Sequence, residues 1–190
     1  MHDLMAVEDA AWAMLAEGAA SRHAAFHQMA VATVNADGRP EARTVVLRGA
    51  DRAARTVRFH TDLRAGKVGD LADRPELAAV LYDHDAKVQV RLSGGATLHH
   101  RDDLAASTWA GMRDFSKACY RQASAPGRTL ADHPAMIDTA APLPELDGFG
   151  NFVAVTLRVA TLEWLYLAAR GHRRALVSYG AAEGRTWLAP

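Results

Sequence analysis

Residues 43–67 constrain the chain more tightly than any other stretch. Arg43-Thr44-Val45-Val46-Leu47-Arg48 alternates as a strand, with Arg43, Val45 and Leu47 toward one face and Thr44, Val46 and Arg48 toward the other. Gly49-Ala50-Asp51 is expected to turn, and Val57-Arg58-Phe59-His60-Thr61 to return antiparallel. Thr61 or Asp62 can cap the next segment, where Lys67, Val68 and Leu71 recur at helical spacing. This order gathers two cations, a hydroxyl and helix-start amides, which is what a phosphate dianion needs. The residues alone fit equally a hairpin whose arginines are simply solvated.

The rest of the chain reads as short strands with two peripheral helices, which argues for a mainly β fold, a β-barrel flanked by helices. An alanine-rich helix is expected over about 7–27, with His23 and His27 four apart; no third ligand accompanies them, so no metal site is expected. Strands follow at Met29–Asn35 (closed by an Asp37-Gly38 hairpin signal), Glu76–Tyr82 and Val88–Leu98, where Gly94-Gly95 marks a bulge or bend. Arg101–Phe115 reads as helical. Residues 125–148 hold four of the seven prolines and read as an irregular connection, with a short helix at Pro134–Thr139. Strands at Phe152–Val159, Thr161–Leu167, Arg173–Tyr179 and Arg185–Leu188 complete a single domain over 1–190, its last sheet strands filling about 151–190.

Equal numbers of acidic and basic residues argue against nucleic acid or an anionic membrane as partner, so any anion site must be local. Cys119 is the only cysteine and cannot form an intramolecular disulfide. The start, Met-His-Asp-Leu-Met with Glu8 and Asp9 behind it, is unlike a signal peptide, and no apolar run reaches a membrane span. A cytoplasmic location is expected.

Four motifs, in order, resemble the pyridoxamine 5′-phosphate oxidase family, an FMN-binding split β-barrel. They are Arg43–Arg48 with His60-Thr61-Asp62 and Ala65-Gly66-Lys67; Gln89-Val90-Arg91-Leu92-Ser93-Gly94; Arg121-Gln122-Ala123-Ser124; and Trp164 followed by Arg170-Gly171-His172-Arg173-Arg174 and a terminal Leu188-Ala189-Pro190. Asp147–Phe152 also resembles the family's entry to its last strands. The resemblance implies FMN as cofactor, held by residues 43–48, His60, Thr61, Gly66, Lys67, Gln89, Gln122, Trp164 and Arg174. It implies Arg170 and His172 as catalytic residues, and Arg48, Trp109, Arg113, Arg170 and His172 as contacts to a small-molecule substrate, a phosphorylated B6 vitamer. The reaction implied is hydride transfer from substrate C4′ to flavin N5 with reoxidation by dioxygen. A homodimer with FMN between subunits is implied too.

Departures fall mostly on the substrate side. Arg48 replaces a lysine, Trp109 stands where the family has tyrosine, and the segment after Arg113 is short. Gly66 and Ala123 replace an arginine and a serine of the flavin motifs. Two classes therefore stay open: a B6-vitamer oxidase, or an FMN-binding protein of the same fold without that activity, such as a flavin reductase-like, general-stress or haem-handling relative.

Overall fold

A computed structural model of the chain describes residues 3–133, 148–180 and 183–190. Its strands are β1 (Gln28–Val34), β2 (Pro40–Asp51), β3 (Thr56–Asp62), β4 (Glu76–Asp83), β5 (Val88–His99), β6 (Phe152–Tyr166), β7 (Arg173–Ser178) and β8 (Gly184–Leu188). They pair antiparallel in the order β3-β2-β1-β4-β5-β6-β7-β8, and β3 pairs again with β6. That last pairing closes β1–β6 into a six-stranded barrel, with β7 and β8 extending from the far half of β6. The helices α1 (Leu4–Ala20), α2 (Gly66–Asp73), α3 (Asp103–Ala110) and α4 (Asp114–Lys117) lie outside it.

Alternation makes the core. Met29 and Val31 of β1, Leu47 of β2, Val57 and Phe59 of β3, and Val90 and Leu92 of β5 point inward and are essentially inaccessible. On β6 the inward set is Val153, Val155, Leu157 and Val159, then Leu162 and Trp164, so the phase changes at residue 160. The cause is a bulge: Ser93 pairs with Thr161 and Gly94 with Val159, leaving Ala160 unpaired. Gly94 is required there, because a Cβ at that position would sit 2.0 Å from the Arg158 carbonyl oxygen. One continuous strand thus serves both the closed barrel and its β7–β8 extension. The two successive strands expected at 152–159 and 161–167 are a single β6, since a phase change inside a strand looks like a break in sequence.

Other expectations need correction. The N-terminal helix spans 4–20, not 7–27; Gly18 lies against the Phe26 backbone, where a Cβ would come within 2.6 Å, and the chain leaves the helix at Ser21. His23 and His27 therefore do not share a helix face. Residues 49–51 remain in β2, with a bulge between Leu47 and Gly49, and the turn falls at 52–55 with Arg55 at φ +56°. The residue before α2 is Ala65, not Thr61 or Asp62; the Asp62 carboxylate instead accepts from the Arg64 backbone N–H (2.8 Å). Helix 101–115 divides into α3, capped by Asp102 through the Ala105 N–H, and α4. The helix expected at 134–139 lies outside the described residues, as do Asp147 and most of the proline-rich connection.

Candidate functional site

The predicted site residues fall into three neighbourhoods. The first is the corner where β3 passes into α2. There the Lys67 ammonium donates to Thr61 Oγ1 at 3.0 Å. From β2, Arg43 Nη1 donates to Thr33 Oγ1 (2.6 Å) and to the Glu41 carbonyl (3.0 Å), and Thr33 donates to Asp70 Oδ2 (2.7 Å). The same carboxylate lies 3.8 Å from Arg43 Nη2. Burial lowers the Lys67 pKa, and the nearby Arg43 charge lowers it further. Two cations press on each other here. Asp62 and Asp70 offset part of that repulsion, but Asp62 is already paired with Arg64 and Asp70 is only a loose counter-ion to Arg43. An added phosphate would relieve that repulsion, so the corner fits the 5′-phosphate of FMN. Gly66 is exposed in the first turn of α2, Thr44 faces outward, and Val45, Val46 and Leu47 pack on either side of β2.

The second neighbourhood is the outer face of β3 and β6. His60 packs edge-on against Phe152 (5.0 Å between centroids). Burial, then the charges of Arg48 and Arg58, push its pKa down to about 4, so the ring is neutral near pH 7. Trp109 of α3 is packed among Tyr120, Phe149 and Phe152, with Lys117 Nζ 5.6 Å from its ring. Burial raises the Tyr120 pKa. Arg113 is exposed at the start of α4. Gln122 is tethered by its backbone: Arg64 donates to the carbonyls of Gln122 and Ala123 while paired with Asp62 at 2.7 Å.

The third lies at the opposite end of β6. Register places Gln89, Leu165 and Arg174 side by side on the outer face. Arg174 Nη2 donates to Glu163 Oε2 (2.9 Å), and Glu163 also receives Arg91 at 3.3 Å. Trp164 points the other way, into the core, stacked 6.1 Å from Tyr166. Arg174 and Trp164 therefore do not meet within one chain. Beyond them the β6–β7 connection encloses a cleft of about 520 Å³ lined by Arg170, His172, Arg173, Tyr166 and Lys87. The Lys87 carbonyl accepts from the Leu167 N–H at 2.9 Å, which fixes this basic lining.

Thr33, Arg64, Asp70, Arg58 and Lys87 were not among the expected site residues. Thr33 alone left a trace, a polar residue in the inward row of Met29 and Val31. Among the described residues, no group of three or more His, Cys, Asp or Glu side chains could hold a metal ion, and no helix is long and apolar enough to cross a membrane.

A family model described as pyridoxamine 5′-phosphate oxidase, FMN-binding domain, matches residues 9–100. A pyridoxine/pyridoxamine 5′-phosphate oxidase of Xanthomonas axonopodis pv. citri is 35% identical over 167 residues, covering 82% of each chain. Among solved structures, a pyridoxamine 5′-phosphate oxidase-related, FMN-binding protein of Nostoc punctiforme superposes with a TM-score of 0.75 at 24% identity, covering 95% of this chain and 96% of that one. PhzG of Burkholderia lata, in complex with tetrahydrophenazine-1-carboxylic acid, gives a TM-score of 0.67 at 20% identity over 86% and 82%. These two likenesses establish the fold.

Proposed function

The chain belongs to the pyridoxamine 5′-phosphate oxidase family of FMN-binding split barrels, and from that premise we propose that it is an FMN-dependent oxidase of phosphorylated B6 vitamers. The corner of Arg43, Thr61 and Lys67 carries this reading, because it gathers cationic donors with too little negative charge to balance them. FMN, when bound, supplies the two-electron acceptor, and dioxygen is the terminal oxidant. Arg43, Lys67 and Thr61 hold its 5′-phosphate. Gln89 offers an amide donor and acceptor, and Arg174, held by Glu163, a positive charge for the ring system. Arg170 and His172 orient the substrate, and His172 is the group in their cleft suited to take its proton.

The phosphate corner and the Arg170–His172 cleft stand at opposite ends of β6, with roughly 40 Å of strand between them. A second copy related by a two-fold axis can bring one chain's cleft to the other's corner, which supports a homodimer with FMN between subunits.

The alternative is a flavoprotein of this fold without B6 activity. Trp109 and Arg113 favour it: the first is engaged in an aromatic cluster and the second is exposed, so α3 presents no assembled phosphate clamp. Purified protein that releases FMN on denaturation, and forms aldehyde and peroxide from pyridoxine 5′-phosphate, supports the oxidase. Bound FMN without aldehyde selects the alternative.

A further inference from the structure

We propose that Arg58, which belongs to none of the flavin motifs, joins Arg48 to bind a phosphate-like dianion of the substrate on the outer face of β3. The charged end of the substrate is then read by the barrel wall instead of by α3. This rests on the flavoenzyme reading above, but is tested apart from it.

Register sets the site. Arg58 stands opposite Thr156 of β6 and Gly49 of β2, and His60 stands opposite Ala154, so Arg58, His60 and Thr156 share one face. Arg58 Nε, His60 Nε2 and Thr156 Oγ1 are all buried and without a hydrogen-bond partner. Buried polar groups are nearly always satisfied, and three orphans side by side call for something that satisfies them together. The electrostatics say what. Both Arg48 and Arg58 act on His60, and among the described residues neither has a carboxylate partner. Two unbalanced guanidinium groups with a hydroxyl and a neutral imidazole match a dianion in charge and in donor number.

The bulge in β2 makes the room. A Cβ at Gly49 would lie 3.3 Å from Arg58 Nη2 and 3.5 Å from its Nε, so the guanidinium lies against backbone with no side chain between. Phe152 beneath His60 fixes the imidazole plane, which makes that ring a local reporter. The dianion site assembled here compensates for a helix α3 whose Trp109 is turned into the aromatic cluster.

The test uses FMN-saturated protein, so that the Arg43–Lys67 corner is filled, and follows the His60 ring resonances by NMR as inorganic phosphate is added. Wild type should titrate to saturation, and acetate at equal concentration should leave His60 unmoved. Arg58→Gln should weaken the phosphate response about tenfold or more, with FMN affinity unchanged within about twofold; Arg58→Lys should recover part of the loss. Pyridoxine 5′-phosphate should bind about tenfold or more tighter than pyridoxine to wild type, and that ratio should collapse in Arg58→Gln. Phosphate affinity unchanged in Arg58→Gln, FMN lost in the same proportion as phosphate, or equal competition by acetate would each overturn the assignment. A chain that holds no FMN at all defeats the functional reading instead, and the phosphate titration on that flavin-free chain still decides the role of Arg58.

Discussion

His60 makes the fold sensitive to mild acid, and its share can be worked out. In the folded chain burial and two neighbouring guanidinium groups hold its pKa at about 4, against 6.5 when unfolded. The fold accepts the neutral ring. Above pH 6.5 both states leave it neutral, and the full contribution is present. As pH falls from 6.5 toward 4 the unfolded chain takes up a proton that the folded chain refuses, so stability falls; below about 4 the loss levels off. Linkage over that window gives at most about 2.5 kcal/mol between pH 7.5 and 4.5, and about 1–2 kcal/mol once residual solvent at the ring is allowed for. Urea unfolding of wild type and His60→Asn across that range isolates the effect, because the carboxylates titrate alike in both. Wild type should lose about 1–2 kcal/mol more than the variant on acidification. Parallel curves would refute the claim that this histidine is held neutral.

Three further outcomes follow from the packing and the site. Gly94→Ala should cost more than about 3 kcal/mol in urea unfolding, since its Cβ meets the backbone oxygen of Arg158; a loss under about 1 kcal/mol would show that the bulge can relax. Glu8 is buried on α1 and accepts from Tyr179 (2.8 Å) and Arg185 (2.5 Å), so Glu8→Ala should cost about 2–4 kcal/mol, and Arg185→Ala, which leaves that buried carboxylate without its cation, should destabilise as well, both read as shifts in thermal midpoint. Arg170→Ala and His172→Ala should lower turnover of pyridoxine 5′-phosphate while FMN stays bound; flavin loss would place these residues in the wrong half of the site.

What the sequence disclosed, and what it hid, divides along physical lines. Local alternation reported the hairpin of residues 43–61, and Gly94-Gly95 announced the bulge between β5 and β6, because strand period and glycine punctuation are properties of neighbouring residues. Trp164 and Arg174 show the limit. The family resemblance implies one ligand for both, and register across β6 and β7 sends one side chain into the core and the other out of it, an arrangement that no motif spacing discloses. The network of Thr33, Arg43 and Asp70 joins residues from three separate elements: the β1–β2 pairing sets Thr33 near Arg43, and the packing of α2 against β1 brings in Asp70. Helix α1 ends early because Phe26 folds back onto Gly18, a contact that no local pattern records.

The central claim is that charged groups at the junction of β3 and α2 hold the terminal phosphate of FMN. Fluorescence titration of flavin-free protein with FMN and with riboflavin, for wild type and for Arg43→Gln with Lys67→Gln, tests it most directly. Wild type should prefer FMN over riboflavin by at least about a hundredfold, and the double variant should bind the two nearly alike. A double variant that keeps the full preference for FMN would contradict it.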